Sequence, residues 1–173
     1  MKALSSVIAK VKALLAGKQE ILGVDIGSYA VKFVLLQAAG KALKLKAWGY
    51  APVNIKADAT PDERKYQSAQ ALRDLLSVKG IKTKLAATAV SGSSVIVRYV
   101  RLPKRSKEEQ ARSITSDAEP FIPFDINEVS LGFHILGDVV DEGQRKSEVV
   151  LVAAKKDLVR EKMGVLSLAG LSP

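Results

Sequence analysis

Cysteine is missing from this 173-residue chain, and histidine occurs once, as His134. Disulfides, thiolate metal sites, thiol nucleophiles and His-rich metal centres are therefore excluded. Aromatic residues make up only 5% of the chain. They are too few among the lysine and arginine clusters for the net charge of +9 to carry the stacking platforms of a nucleic-acid surface. No nucleic acid is expected as a partner; most of the charge belongs to solvated faces. No apolar run approaches the roughly 18 residues of a membrane-spanning helix. The N-terminus has neither the apolar stretch nor the small-residue cleavage site of a secretory signal, so the cytoplasm is the expected address.

What is present suffices for one hydrophobic core or two small subdomains: 47% hydrophobic and 26% charged residues, an ordinary globular balance. Leu4, Val7, Ile8, Val11, Leu14 and Leu15 recur at helical spacing, Lys10 and Lys12 flank that stripe, and Gly17 is placed to cap it. Residues 1–20 are expected to form an amphipathic helix. Its basic flanks suit residues 1–18 to an anionic membrane surface; packing on the domain is the alternative.

From Ile21 the pattern turns to strand. Ile21–Asp25, Ala30–Gln37 and 41–50 are expected strands joined by Gly27-Ser28 and Gly40. Thr60, Pro61 and Glu63 form a helix start with a capping box. The helix should run to about Val78 with Tyr66, Ala69, Leu72, Leu75 and Leu76 inward, and end at Gly80. Leu85–Val90 is an expected interior strand. Beyond Ser91-Gly92 the sequence predicts strand Val95–Leu102, helix Ser106–Glu119 closed by Pro120, strands Val129–Leu136 and Glu148–Ala154, and helix Lys156–Leu168. His134 falls on a strand, as a structural histidine.

The chemistry concentrates where the first strand meets its turn. Gly27 removes a Cβ from the bend, so successive N–H groups can face an anion. Ser28 adds a hydroxyl, Lys32 a cation on the same strand face as Ser28, and Asp25 a carboxylate that could hold Mg²⁺ through water. No acid–base pair or activated nucleophile is evident, so no catalytic residue is assigned. Asp117 and Glu119 belong to a helix end, and Asp138, Asp141 and Glu142 to a solvated loop.

Asp25 to Phe33 read DIGSYAVKF. Ala89-Val90-Ser91-Gly92, Glu119-Pro120-Phe121-Ile122-Pro123-Phe124-Asp125, Val150 to Lys156 and Ala169-Gly170-Leu171-Ser172-Pro173 follow in that order. Over residues 20–173 this resembles the N-terminal half of the PilM family of type IV pilus assembly. The resemblance implies an α/β, actin-like (ribonuclease H-like) first lobe with an inserted strand–helix–strand–strand subdomain. The division would be 1–20 for the N-terminal helix, 21–90 for the lobe core, 91–155 for the insertion, and 156–173 for a helix leading toward a second lobe. It implies ATP with Mg, bound once both lobes are present, through Asp25 (also the metal ligand), Gly27, Ser28, Tyr29 and Lys32, with little or no hydrolysis. It also implies a partner, the cytoplasmic tail of a PilN-like inner-membrane protein, held beside Phe121, Ile122, Pro123 and Phe124 on a stiff apolar loop. The protein would then be a cytoplasmic adaptor at the periphery of the inner membrane, serving pilus-based twitching motility or related type II secretion. An FtsA-like membrane-associated cytoskeletal protein is the alternative resemblance.

Overall fold

The computed structural model describes residues 20–40, 42–92 and 95–173. The expected N-terminal helix lies outside them. The chain forms two compact units. Residues 20–89 and 161–173 belong to the first, and Val90–Arg160 is the second.

The first unit is built on a four-stranded sheet in the order β3-β2-β1-β4. Its strands are β1 (Glu20–Ile26), β2 (Ala30–Ala39), β3 (Ala42–Pro52) and β4 (Ala86–Thr88). β1 to β3 run antiparallel, and β4 lies parallel to β1. Side chains alternate across a strand, so Leu22, Val24 and Ile26 share one face with their cross-strand partners Leu35, Phe33 and Val31. Helices α1 (Pro61–Val78) and α3 (Lys156–Leu168) cover this face. They add Ala69, Leu72, Leu76, Val165 and Leu166 to one buried cluster. Arg73 of α1 ties the two helices by donating to the Leu168 carbonyl.

The expected fourth strand shortens to three residues and stands at the end of the sheet. Leu85 makes a separate parallel bridge to Ser172. Tyr66 corrects the expected inward face of α1. It is 64% exposed, because at 3.6 residues per turn it lies about 120° around the helix from Leu72. Ser68 takes its place in the buried stripe beside Ala69, Leu72 and Leu76.

The start of α1 matches its sequence signature. The Thr60 hydroxyl accepts from the Glu63 N–H, and the Glu63 carboxylate accepts from the Thr60 N–H at 2.7 Å. The Thr60 N–H first, and then the Thr60 hydroxyl, both donating to it, hold the Glu63 carboxyl below its ordinary value. A lowered carboxyl stabilises the fold above its unfolded pKa of 4.5, and this is lost as pH falls through the lower folded value. Thr60→Ala should therefore cost about 1 kcal/mol at neutral pH. The gap from wild type should narrow in thermal melts well below pH 4.5; a gap independent of pH would show that the reciprocal carboxylate bond contributes nothing.

The second unit is a three-stranded sheet, β5-β7-β6, with one helix. β5 is Val95–Pro103, β6 Val129–Asp141 and β7 Gln144–Lys155. Helix α2 (Lys107–Ala118) lays Ile114 and Ala118 on Val100, Val149, Leu151 and Ala153. Ser106 and Glu109 repeat the capping box. β6 and β7 reach further than expected because Glu142 and Gly143, both at positive φ (51° and 77°), close a two-residue hairpin turn. Asp138 and Asp141 therefore stand on a strand rather than in a loop. Asp141 accepts from Arg101 and Lys146, and the Lys146 hydrogen bond leads the causes that lower its pKa.

Pro120 does not push its predecessor out of the helical region. Glu119 keeps φ −48° and ψ −45°, and the chain tightens into a 3-10 turn, Glu119–Phe121. Proline fits there because a first-turn N–H needs no partner.

Candidate functional site

The β1–β2 hairpin brings Asp25 and Lys32 directly opposite each other. Their side chains meet at 2.8 Å, each more than half exposed. The hydrogen bond to Asp25, and then its charge, raise the Lys32 pKa above its ordinary value. By the strand alternation both lie on the sheet face away from α1 and α3. Gly23, Val34, Ala87, Thr88 and Ala89 line an open cleft of about 510 Å³ with them. Thr88 borders this cleft from β4, but its side chain lies on the helix face with that of its partner Val24.

The structure does not keep the five expected nucleotide residues together. Gly27 and Ser28 line a different, polar cleft with Arg64, Lys65, Ser68 and Lys162, so Ser28 and Lys32 do not act on one surface. The Gly27 N–H donates to the Ala30 carbonyl at 3.0 Å. That donor is used by the turn, which corrects the expectation that it faces an anion. Glycine is needed there for close approach, since a Cβ would sit 3.1 Å from the Ala30 oxygen. The Tyr29 side chain is 85% exposed, while its carbonyl accepts from the Val53 N–H at 2.8 Å.

Two residues that sequence reasoning missed complete the picture. Lys162 of α3 donates to the Ile26 carbonyl at 2.6 Å, pinning the end of β1 from the helix side. Thr88 borders the Asp25 cleft from β4. Neither has a sequence signal, because each arrives through tertiary packing. Among the described residues no three metal-ligating side chains cluster. Asp25 would have to hold Mg²⁺ largely through water, which suits that strongly hydrated ion. An exposed carboxylate and a cation at one cleft fit the phosphate end of a magnesium nucleotide in chemistry.

In the second unit the Phe121–Phe124 segment is folded into turns rather than extended. Ile122 is 7% exposed and packs with Ile114, Ala118, Val129 and Leu151. It is a core residue and is withdrawn from the expected contact surface. Phe121 and Phe124 are each 39% exposed, and Pro123 is exposed. The Lys155 ammonium stands 4.7 Å from the Phe124 ring centre, a cation–π contact that steadies the ring. Asp125 caps the next 3-10 turn, Ile126–Glu128, by accepting from the Asn127 N–H at 2.8 Å. The aromatic pair is thus presented on a locally ordered scaffold. His134 sits half-buried on β6 opposite Val150.

Residues 23–173 match the family model described as type IV pilus assembly protein PilM. Among solved structures, a chain of a PilM-PilN type IV pilus biogenesis complex is similar with a TM-score of 0.73 and 31% identity. The match covers 89% of this chain and 46% of that one. The cytoplasmic domain of EpsL, an inner-membrane component of the type II secretion system of Vibrio cholerae, shares the fold with a TM-score of 0.53 at 15% identity. It is matched over 88% of this chain and 54% of its own. The chain therefore spans about half the length of these structures and has the α/β, actin-like architecture expected of its first lobe. By the family match over most of its length, the chain belongs to the type IV pilus assembly protein PilM family.

Proposed function

We propose that this chain supplies the first lobe of a cytoplasmic adaptor in type IV pilus assembly, holding the tail of a PilN-like inner-membrane protein on its second unit. One observation carries this: the likeness, at 31% identity over 89% of the chain, to a PilM solved as a PilM-PilN complex. The second unit offers a suitable contact in Phe121 and Phe124, half-exposed rings fixed by the buried Ile122 between them. Aromatic rings that are already ordered lose little freedom on binding, and apolar peptide side chains would cover them.

The test is a titration of a labelled PilN-like cytoplasmic peptide with the 173-residue chain. Saturable binding is expected, with a scrambled peptide giving none. Equal response to both peptides would dismiss the adaptor role for this part of the protein.

The Asp25–Lys32 cleft is proposed as one half of a Mg-ATP site, completed by a second lobe. When bound, Mg²⁺ would neutralise phosphate charge beside Asp25. Lys32 would pair with a phosphate oxygen. In this reading the nucleotide acts as a ligand that sets lobe geometry.

A further inference from the structure

The basic surplus lies outside the second unit. Residues 20–89 and 161–173, the first unit, hold 12 lysines and arginines against 7 aspartates and glutamates. Residues 90–160, the second unit, hold 11 of each. The first unit is therefore basic and the second net neutral, and β3 presents some of that surplus together with large apolar groups. β3 stands at the edge of its sheet. It contains Lys44 and Lys46 and no acidic residue.

Trp48 is 66% exposed, Tyr50 56% and Leu45 53%. The pairing puts all three on the face away from the helices: Trp48 lies opposite Val34, Tyr50 opposite Lys32 and Leu45 opposite Leu36. Lys46 is the extra residue where the register slips between Leu35 and Leu36, so it is freed from strict alternation and stays exposed. The one carboxylate on this face of β1 and β2 is Asp25, which Lys32 already neutralises.

We infer that the β3 margin of the first unit, Leu45, Lys46, Trp48 and Tyr50, is a contact for anionic lipid. Tryptophan and tyrosine favour the headgroup boundary, where an apolar ring and a polar atom are both satisfied. Lys46 beside them reaches anionic headgroups on a long flexible stem. The occupant follows from charge complementarity: a basic unit with a net-neutral neighbour, and an apolar patch with Lys46 beside it and no free acid. The surface differs from the expected N-terminal contact and from Phe121 and Phe124, and it stands whether or not the PilN-like tail binds.

The experiment is sedimentation of the 173-residue chain with vesicles of phosphatidylglycerol mixed into phosphatidylcholine, beside pure phosphatidylcholine vesicles. Trp48 emission is recorded on the same samples. Wild type should sediment with the anionic vesicles, release as salt shortens the Debye length, and show a blue-shifted Trp48 spectrum. Lys46→Glu and, separately, Trp48→Ser should each cut the bound fraction at least threefold. All four side chains are solvent-facing, and unchanged circular dichroism melts would certify the variants. An unshifted Trp48 spectrum on bound vesicles, or equal sedimentation of wild type and both variants, would overturn the assignment. The second result would transfer any lipid binding to residues 1–18. A patch covered by a second copy or by further polypeptide would give neither the spectral shift nor the dependence on anionic lipid.

Discussion

Ile122→Ala is expected to destabilise the second unit by about 2–5 kcal/mol, the range for truncating a buried aliphatic side chain. Phe124→Ala, at a ring that keeps 39% of its surface exposed, should cost only about 1 kcal/mol of stability from the area it covers. Binding of a PilN-like peptide should reverse that order. Phe121→Ala and Phe124→Ala should weaken it by about 1–3 kcal/mol each, the range for an interface anchor. Ile122→Ala, measured well below its melting transition, should bind nearly as wild type. Thermal melts and peptide titrations on the same three variants separate core from contact. A Phe124→Ala variant with full affinity would remove that ring from the partner surface, and an Ile122→Ala variant with a wild-type melt would contradict its packing.

That contrast could not be read from the sequence. Phe-Ile-Pro-Phe is four apolar letters in a row, and only the 3-10 turn Glu119–Phe121 decides which of them faces inward. The same holds for Tyr66, where a run of candidate inward residues on α1 was one turn too generous. The helix starts were legible because a capping box is local: Thr60 with Glu63 and Ser106 with Glu109 need nothing beyond three residues of chain. The β1–β2 hairpin was legible for the same reason. The β6–β7 hairpin was not, because Asp138, Asp141, Arg145 and Lys146 look like a solvated loop until their partners are known. Arg101 of β5 and Lys104 just beyond it reach Asp141 and Asp138, and the pairing makes charged strands tolerable. At the site, the seven-residue spacing of Asp25 and Lys32 carried through as a cross-strand pair. The separation of Ser28 from Lys32 did not, since the cleft that Ser28 lines with Lys65 and Lys162 is assembled by tertiary packing.

Asp25→Ala and Lys32→Ala should both weaken Mg-ATP binding about tenfold or more when this lobe is carried in a two-lobed protein, the scale of a lost charge-assisted contact. The 173-residue chain alone, with one hairpin and no opposing lobe, should bind weakly or not at all. The two substitutions should differ once Mg²⁺ is chelated. Lys32 already spends its charge on Asp25 in the absence of ligand, and a phosphate must compete for it. Removing the carboxylate frees the ammonium and takes a like charge away from the phosphates. Without Mg²⁺, Asp25→Ala should therefore bind nucleotide as well as wild type or better, while Lys32→Ala should stay weak with or without the metal. Calorimetry in the presence of magnesium and again with a chelator reads all four combinations. If Asp25→Ala lost the same factor in both conditions, the carboxylate would be holding the hairpin rather than the metal. If Lys32→Ala bound like wild type with magnesium present, the cleft on this face of β1 and β2 would not be where the phosphates lie.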